Sequence, residues 1–280
     1  MQPDQEIINR WSGSAPYWEK HREIIRQMFA PVTEALIAGA QIESGQTVLD
    51  VATGPGEPAL SVAKWVGPEG KVHGIDPIPD MVAAARRAAS HLNVKNVQFD
   101  VAFADQLPFQ ADTFDAAISR FGVMFFPSPG DGVREILRVL KPGRKLTLAV
   151  WHLAERNPFH YVLSRVVDRY VESPPLAPDA LDAFRFANPG KLLEIFKQVG
   201  TAAPAERLLK FDIEAQVPIE DFYTLRLEMS DKLRGKIAKL SDQERKEVKR
   251  EALASLSEYN TPQGFRFPAE VFIVSGEKRV

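Results

Sequence analysis

Hydrophobic residues recur along this chain with two alternating periods, and the alternation predicts strands and helices in regular succession. Short runs rich in β-branched and aromatic residues, separated by helical patterns, are typical of a parallel sheet with helices on both faces. The predicted strands are 47–51, 71–76, 97–102, 114–119, 145–150, 206–214 and 269–278. The predicted helices are 16–38 (with a break at Ala30–Pro31), 58–66, 80–92, 132–140, 188–200 and a charged set over 218–258. The expected fold class is α/β, with a doubly wound, seven-stranded and mostly parallel sheet.

Composition fits a globular protein and excludes several classes of site. The 280 residues suffice for one large domain, or for one domain with an appendage. The formal net charge of −2 argues against a nucleic-acid partner, which usually requires a basic surface. Because the chain has no cysteine, disulfides, thiolate metal sites and cysteine nucleophiles are excluded. No cluster of other metal ligands is predicted either.

The sequence carries no signal for a membrane. Its first residues lack the basic-then-apolar pattern of a signal peptide, and no apolar run approaches the length of a bilayer span. We therefore expect a soluble, cytoplasmic protein without a membrane-spanning segment.

The stretch "VLDVATGPGEPAL" (48–60) places a tight glycine turn between a predicted strand and a predicted helix. It fits the pattern G-x-G-x-x-G/A, in which bare backbone approaches a small ligand. Asp76 ends the next predicted strand 22 residues after Gly54. That spacing is typical of a carboxylate that accepts hydrogen bonds from a ribose, although Asp76 also suits a plain turn at the strand end.

Acidic residues around the turn indicate which ligand it holds. Glu57 lies in the first turn after the glycines and Asp50 lies just before them, and the sequence shows no basic residue beside either. Both carboxylates would repel a pyrophosphate at the helix N-terminus. A ligand with adenosine, no phosphate and a positive charge fits better, and S-adenosylmethionine (SAM) is such a compound. Glu57 also suits a purely helix-stabilising role, so the choice favours SAM without proving it.

Four blocks in order make the sequence similar to a known family. They are "VLDVATGPGEPAL", "VGPEGKVHGIDPIPDMVAAAR", "AFADQLPFQADTFDAAISRFGVMFF" and "VREILRVLKPGRKLTLAVW". Together they resemble the class I SAM-dependent methyltransferases, especially the branch of ubiquinone/menaquinone-biosynthesis C-methyltransferases. The resemblance implies a Rossmann-like methyltransferase fold. The expected divisions are a helical N-terminal lid (1–44), a SAM-binding core (45–152), a substrate cap segment (153–187) and a C-terminal part of the sheet (188–280) with a helical insertion (215–260).

The resemblance also implies a set of cofactor-binding positions. Gly54 and Gly56 would lie beside the methionine part of SAM, Asp76 would bind the ribose, and Met81 would pack on the adenine. The remaining positions are Asp50, which would brace the turn, Ala104 and Asp105 at the adenine edge, and Ser119 and Arg120 below the methionine part. Phe121 would face the departing methyl group and contact the substrate.

Trp11 is added to this set of positions, and Arg120 within the set carries an unexpected charge. Trp11 belongs to an aromatic N-terminal group that suggests a lid over the cofactor. Arg120 is unexpected, because the quinone methyltransferases have a small residue there and the cofactor is itself a cation. Its side chain either turns outward to an anionic substrate or pairs with an acid such as Glu19 or Glu57.

Histidines are the candidate proton acceptors for the reaction. His152 directly follows the predicted strand 145–150, where doubly wound sheets bind ligands, and His160 lies in the segment expected to contact the substrate. His152 is the predicted catalytic base, although a hydrogen-bonded structural role suits either histidine. The stretch "RNPF" (156–159) resembles the N-P-P-F motif of amino methyltransferases, but it follows the wrong strand and lacks the second proline.

The sequence predicts a SAM-dependent methyltransferase that acts on a small, apolar or aromatic organic molecule. The many aromatic residues of the cap segments favour such a substrate, and no nucleic-acid partner is expected. An NAD(P)-dependent oxidoreductase and a non-catalytic SAM-binding protein are the alternatives. The acceptor atom and the oligomeric state are not predicted from the sequence.

Overall fold

The computed structural model describes residues 3–172 and 179–280, and within them the chain builds one mixed sheet. The strands are β1 (Thr47–Val51), β2 (Lys71–Asp76), β3 (Val97–Val101), β4 (Phe114–Arg120), β5 (Leu140–Trp151), β6 (Ala202–Ala215), β7 (Asn260–Thr261) and β8 (Gly264–Glu277). They lie in the order β3-β2-β1-β4-β5-β8-β6, and the short β7 pairs with β8 outside this path. The seven long strands are the seven that the sequence predicts.

The sheet reverses its winding direction between β1 and β4. Strands β1 to β5 pair in parallel, whereas β8 lies antiparallel between β5 and β6. The chain passes outward from β1 through β2 to β3 and then returns to the other side of β1 with β4. A crevice opens at such a reversal, and doubly wound sheets bind their ligands there. The predicted fold class, a doubly wound and mostly parallel sheet, is confirmed.

Helices cover the sheet and extend beyond it at both ends of the chain. They are α1 (Pro3–Ser12), α2 (Ala15–Lys20), α3 (Arg22–Met28), α4 (Ala30–Gly39), α5 (Ala59–Val66), α6 (Pro79–His91), α7 (Pro129–Val139), α8 (Pro158–Val167), α9 (Lys191–Gln198), α10 (Ile219–Met229), α11 (Asp231–Ile237) and α12 (Asp242–Leu256). The central strands β1 and β4 are buried along both faces. Burial on both faces explains why their sequences are almost continuously apolar.

Several element boundaries differ from the prediction. The predicted helix 16–38 breaks at Phe29, as expected, and also at His21, whose ring bonds Glu228 of α10. Strand β5 begins at Leu140, before the predicted start at 145, with a bulge before pairing resumes at Lys145. Helix α9 begins at Lys191, later than the predicted start at 188, and is capped by Gly190 with a φ of 79°.

Some predicted features fall partly outside the described residues. The proline-rich loop of the predicted cap segment includes 173–178, which the structure does not describe. Among the described helices, none combines the length and the apolar character that crossing a bilayer requires.

Asn157 joins the end of β5 to β8 and fixes the start of α8. Its side chain is fully buried, and its amide nitrogen lies 3.1 Å from each of three carbonyl oxygens, those of His152, Leu153 and Glu270. Its amide oxygen accepts a hydrogen bond from the Glu270 backbone N–H at 3.0 Å. The asparagine of "RNPF" therefore has a structural role, and it positions the helix that carries Phe159 and His160.

The N-terminal helices are held against both the sheet region and the C-terminal insertion. Glu19 of α2 accepts two hydrogen bonds from Arg87 of α6, at 2.8 and 2.7 Å. Glu228 of α10 bonds both Lys20 and His21 at the junction of α2 and α3. These contacts bring the two helical regions together over the sheet crevice.

Replacing Asn157 by alanine should destabilise the protein strongly. The Glu270 backbone N–H loses its acceptor and the links through the buried amide are lost, whereas the carbonyls of Leu153 and Glu270 keep backbone N–H donors. We therefore expect the free energy of unfolding to fall by roughly 1–3 kcal/mol. Chemical denaturation of Asn157→Ala beside Asn188→Ala, an exposed asparagine, measures the difference. The control should change by less than about 0.5 kcal/mol. Equal unfolding free energies for the two variants would contradict this role of Asn157.

Candidate active site

Asp50 holds the glycine turn in place from behind. One carboxylate oxygen accepts a hydrogen bond from the Thr53 hydroxyl at 2.6 Å and another from the Ala59 backbone N–H at 3.0 Å. The second oxygen is buried and has no hydrogen-bond partner among the described residues. Burial raises the pKa of Asp50 to about 7, although the charge of Arg120 opposes that shift. Asp50 thus braces the turn, as the resemblance implies.

The two glycines of the turn have different surroundings. Gly54 has a φ of 56°, and a Cβ built on it would meet no atom within 4 Å, so it borders open space. Gly56 has a φ of 107°, and its Cβ would lie 2.9 Å from Leu60 and 3.3 Å from Ala85. Gly54 therefore lets a ligand approach the backbone, whereas Gly56 lets α5 and α6 pack closely.

Asp76 ties the turn after β1 to the helix after β2. One carboxylate oxygen accepts the Gly54 N–H at 2.9 Å, and the other accepts the Ile78 N–H at 3.0 Å. Burial raises the pKa of Asp76 to about 6, so the group is still mostly ionised at neutral pH. Each oxygen keeps a second lone pair, and the carboxylate borders the crevice. Two further hydroxyl groups can therefore bind there.

Arg120 faces inward rather than outward. Its guanidinium donates to the Thr33 hydroxyl at 2.9 Å and to the backbone carbonyl of Glu57 at 3.3 Å. Burial lowers the pKa of Arg120, and the charges of Glu57 and Asp50 oppose that shift. Among the described residues no ion pair joins Arg120 to either predicted acid: the Glu57 carboxylate accepts a hydrogen bond from the Ser61 hydroxyl, and Glu19 bonds Arg87. The expectation that no basic residue lies close to Asp50 and Glu57 is therefore wrong, because the charge of Arg120 acts on both.

A cavity of about 860 Å³ opens at the carboxyl ends of β1 and β4. It brings together most of the residues that the sequence singled out, namely Trp11, Gly54, Asp76, Met81, Ala104, Asp105, Arg120, Phe121 and His160. We call the part bordered by Gly54, Asp76 and Met81 the glycine-turn end. Four predicted residues lie outside the lining, namely Asp50, Gly56, Ser119 and His152. Ser119 is fully buried beneath Gly122, whose Cβ would lie 2.6 Å from the serine hydroxyl.

The opposite end of the cavity is built from aromatic rings. We call Phe29, Phe121, Trp151, Phe159 and Phe184 the aromatic wall, and the part of the cavity that they border the aromatic end. Phe121 and Trp151 stack with ring centroids 4.3 Å apart, and Phe29 meets both rings edge-on. Phe121 has a φ of 63°, which is unfavourable for a bulky residue. These ring contacts fix the position of the Phe121 side chain in the cavity lining.

The two candidate histidines are placed differently. His152 bonds the carbonyl of Ala187 at 2.9 Å, lies 3.7 Å from the carboxylate of Glu270 and packs on Phe272, outside the cavity lining. This placement favours a structural role, and the prediction of His152 as a base gains no support from the geometry. His160 lines the aromatic end, edge-on to Trp151 at 4.4 Å.

His160 is held as a neutral imidazole. The ring is buried, and its Nε2 has no hydrogen-bond partner among the described residues. Burial, together with the charge of Arg226, holds the pKa of His160 well below its usual range. The ring therefore offers an unused polar atom to a ligand at neutral pH.

Sequence analysis missed two arginines that line the cavity. Arg22 begins α3, and Arg226 lies in α10. Each occupies a position within an otherwise apolar helical stripe, Arg22 between Trp18 and Ile25 and Arg226 between Phe222 and Met229. A cation on the apolar face of a helix was the available signal, because that face normally packs on the core.

Comparison with known proteins gives the same picture for the sheet region. A methyltransferase-domain family matches residues 42–172. The demethylmenaquinone methyltransferase of Chlorobaculum parvum is 32% identical over 183 residues, which are 60% of this chain and 72% of that protein. The ubiquinone/menaquinone biosynthesis C-methyltransferase of Pseudomonas fluorescens is 35% identical over 130 residues, 46% of this chain and 49% of that protein. This chain thus spans about half the length of the Pseudomonas relative.

A solved structure extends the similarity beyond the matched sequence. The YcgJ protein of Bacillus subtilis shares the fold with a TM-score of 0.59 at 20% identity, over 90% of this chain and 99% of that one. The Chlorobaculum relative is matched along most of its own length. Residues 42–172, which the family model matches, include the strands that build the crevice. The resemblance seen in the sequence is therefore confirmed, and this chain belongs to the SAM-dependent methyltransferases, with SAM as the methyl donor.

Proposed function

We propose that this enzyme transfers the methyl group of SAM to a small aromatic or largely apolar organic molecule bound at the aromatic end. The main support for this proposal is that the aromatic wall and the glycine turn border one continuous cavity. Relatives named for ubiquinone and menaquinone biosynthesis are consistent with a ring-containing acceptor. Family membership sets aside the oxidoreductase and the non-catalytic protein that the sequence left open.

The residues of the glycine-turn end fit SAM. The open space beside Gly54 accepts a ligand against bare backbone, and the Asp76 carboxylate keeps free lone pairs for the ribose hydroxyls. Met81 belongs to a small apolar cluster with Ile78, and Trp11 packs against that cluster. These side chains would contact the adenine, and Asp105 lies in the same lining for its exocyclic amine. Ala104 would complete the adenine site.

Arg22 and Trp18 fit the carboxylate of the methionine part. An Arg22 nitrogen and the Trp18 indole N–H are buried donors without a hydrogen-bond partner among the described residues, and both side chains line the cavity. Arg26, one turn later on the same helix, lies close enough to Glu57 for their charges to interact. Arg22 therefore reaches the cavity near the glycine turn, where a carboxylate would satisfy both donors.

The reaction itself needs alignment and a dry cavity. When bound, SAM would supply an electrophilic methyl group on a sulfonium: the acceptor bonds to that carbon in line while the carbon–sulfur bond breaks and S-adenosylhomocysteine leaves. The aromatic wall orients a flat acceptor and excludes water from the aromatic end. If the acceptor loses a proton, Nε2 of His160 can take it in the tautomer that carries its own proton on Nδ1. Because its pKa is lowered, His160 is a weak base. It stays neutral, and therefore able to accept a proton, throughout the neutral pH range.

Transfer of labelled methyl groups tests the proposed function. Incubating the protein with methyl-labelled SAM and a cell extract should label an organic molecule of low molecular weight, because the cavity is closed by aromatic rings. Titration should also show binding of SAM and no binding of NAD. Label found only in nucleic acid or protein, or tight NAD binding without SAM binding, would contradict the proposal.

Asp76→Asn should weaken SAM binding without unfolding the protein. An amide keeps one acceptor oxygen, so one of the two backbone N–H groups faces an NH₂ and the ribose loses a charged partner. Loss of such hydrogen bonds predicts a Kd for SAM about 10- to 100-fold higher, measured by calorimetry. Asp80→Asn, in the exposed first turn of α6, is the control and should bind SAM normally. Unchanged affinity in Asp76→Asn would remove the ribose role.

Arg22→Gln should distinguish the two halves of the cofactor. S-adenosylhomocysteine (SAH) carries the methionine carboxylate, whereas 5′-methylthioadenosine lacks it. The variant should raise the Kd of SAH about tenfold or more, as expected for a lost charge-assisted pair, and leave that of methylthioadenosine unchanged. Arg26→Gln on the same helix is the matched control. Equal weakening of both ligands by Arg22→Gln would mean that Arg22 does not bind the carboxylate.

A further inference from the structure

The aromatic end contains a buried cation without an anionic partner. Arg226 is 7% exposed, its Nε donates to the Phe159 carbonyl at 3.1 Å, and its guanidinium carbon lies 4.6 Å from the centre of the Phe159 ring. Within residues 3–172 and 179–280, no carboxylate forms an ion pair with it. Burial lowers the pKa of Arg226 to about 10, so the group remains charged at neutral pH.

The neighbouring acids do not compensate for this charge. Asp182 pairs with Lys232 at 2.5 Å, and Asp168 pairs with Lys236, so these two carboxylates of the lining are engaged. Asp231 is engaged as well. A buried guanidinium without a counter-ion is unfavourable, because burial removes the water that would stabilise its charge. The missing counter-ion is therefore expected to arrive with a ligand.

The surroundings of Arg226 define the shape of that ligand. The charge of Arg226 acts on His160, whose ring is edge-on to Phe159 at 5.1 Å and to Phe184 at 5.2 Å. Phe159, which the guanidinium contacts, also lies nearly parallel to the ring of Trp151, with the two ring centroids 6.4 Å apart. A guanidinium, a neutral imidazole and flat rings thus border one space. Such a space suits a planar ring that carries a fixed negative charge.

We propose that the methyl acceptor is an aromatic carboxylate, whose anionic oxygens bind the guanidinium of Arg226 and whose ring packs on the aromatic wall. The unpaired nitrogen of His160 accepts a hydrogen bond from a neighbouring hydroxyl of the ring, or donates one to the carboxylate in the tautomer that carries its proton on Nε2. A guanidinium binds a carboxylate with two parallel hydrogen bonds, so the pair fixes orientation as well as affinity. This inference rests on the proposed function, because it assigns a substrate class to the aromatic end of the same cavity.

A matched pair of ligands tests the inference on the unchanged enzyme. The protein is first saturated with SAH, which occupies the glycine-turn end, and is then titrated with 2-naphthoate or with 2-naphthamide. These probes share ring and size and differ in charge. The acid should bind about tenfold tighter than the amide or better, the range for one charge-assisted pair. Failure of 2-naphthoate to bind, or equal binding of acid and amide, would overturn the inference.

Variants at Arg226 then test whether this residue causes the preference for the acid over the amide. Arg226→Met should abolish the preference for the acid while SAH still binds, and Arg226→Lys should keep a reduced preference because the charge remains. Arg250→Met, the same change at an exposed arginine of α12, is the control and should behave as the wild type. A preference that survives in Arg226→Met would overturn the inference. Failure of the wild-type protein to bind SAH would instead contradict the proposed function. A failure of the inference and a failure of the proposed function are therefore distinguishable.

Discussion

The carboxylate of Asp76 is the contact on which the cofactor end of this enzyme depends. It joins the turn after β1 to the start of α6 by accepting one backbone N–H from each. Because β1 and β2 are adjacent parallel strands, both segments leave the sheet at the same edge. One side chain therefore sets the position of Gly54 and presents its remaining lone pairs to the crevice. Asp50 supports the same turn from the buried side.

Helices at the two ends of the chain, rather than the segments that connect the parallel strands, complete the lining of the cavity. The N-terminal helices contribute Trp11, Trp18 and Arg22, and the C-terminal insertion contributes Arg226. Glu228 links the two regions through Lys20 and His21. The methyltransferase-domain family matches residues 42–172, which include β1 to β5 and α5 to α8 but neither the N-terminal helices nor α10. The two arginines divide the roles, with one assigned to the cofactor carboxylate and one to the acceptor.

Local interactions explain which features the sequence predicted well. The glycine turn, the strands around it and Asp76 follow from residues close together in the chain, and all appear at their expected places. Arg120 was ambiguous because its partner Thr33 is 87 residues away and no local pattern specifies that contact. The premise about the charge around Glu57 failed for the same reason, since Arg120 and Arg26 reach it from β4 and α3. The bulge at the start of β5 similarly depends on pairing with β4.

The roles of the histidines and arginines also required the fold. His152 lies at the end of the expected strand, yet its ring bonds the carbonyl of Ala187 and does not line the cavity. Sequence spacing does not reveal that contact. Arg22 and Arg226 carried a signal, a cation within an apolar helical stripe, but only the cavity shows that the two stripes face the same space. Phe121 lines the cavity, and its stacking on Trp151 depends on the pairing of β4 with β5.

The most direct test of the account is a crystal structure of the enzyme with SAH. The central claim is that one cavity holds the cofactor between Gly54 and Arg22 and leaves its sulfur facing the aromatic wall. Electron density should show the ribose on Asp76, the carboxylate on Arg22 and the sulfur directed toward Phe121. Density for SAH elsewhere in the molecule, or a sulfur directed away from the aromatic end, would contradict the account.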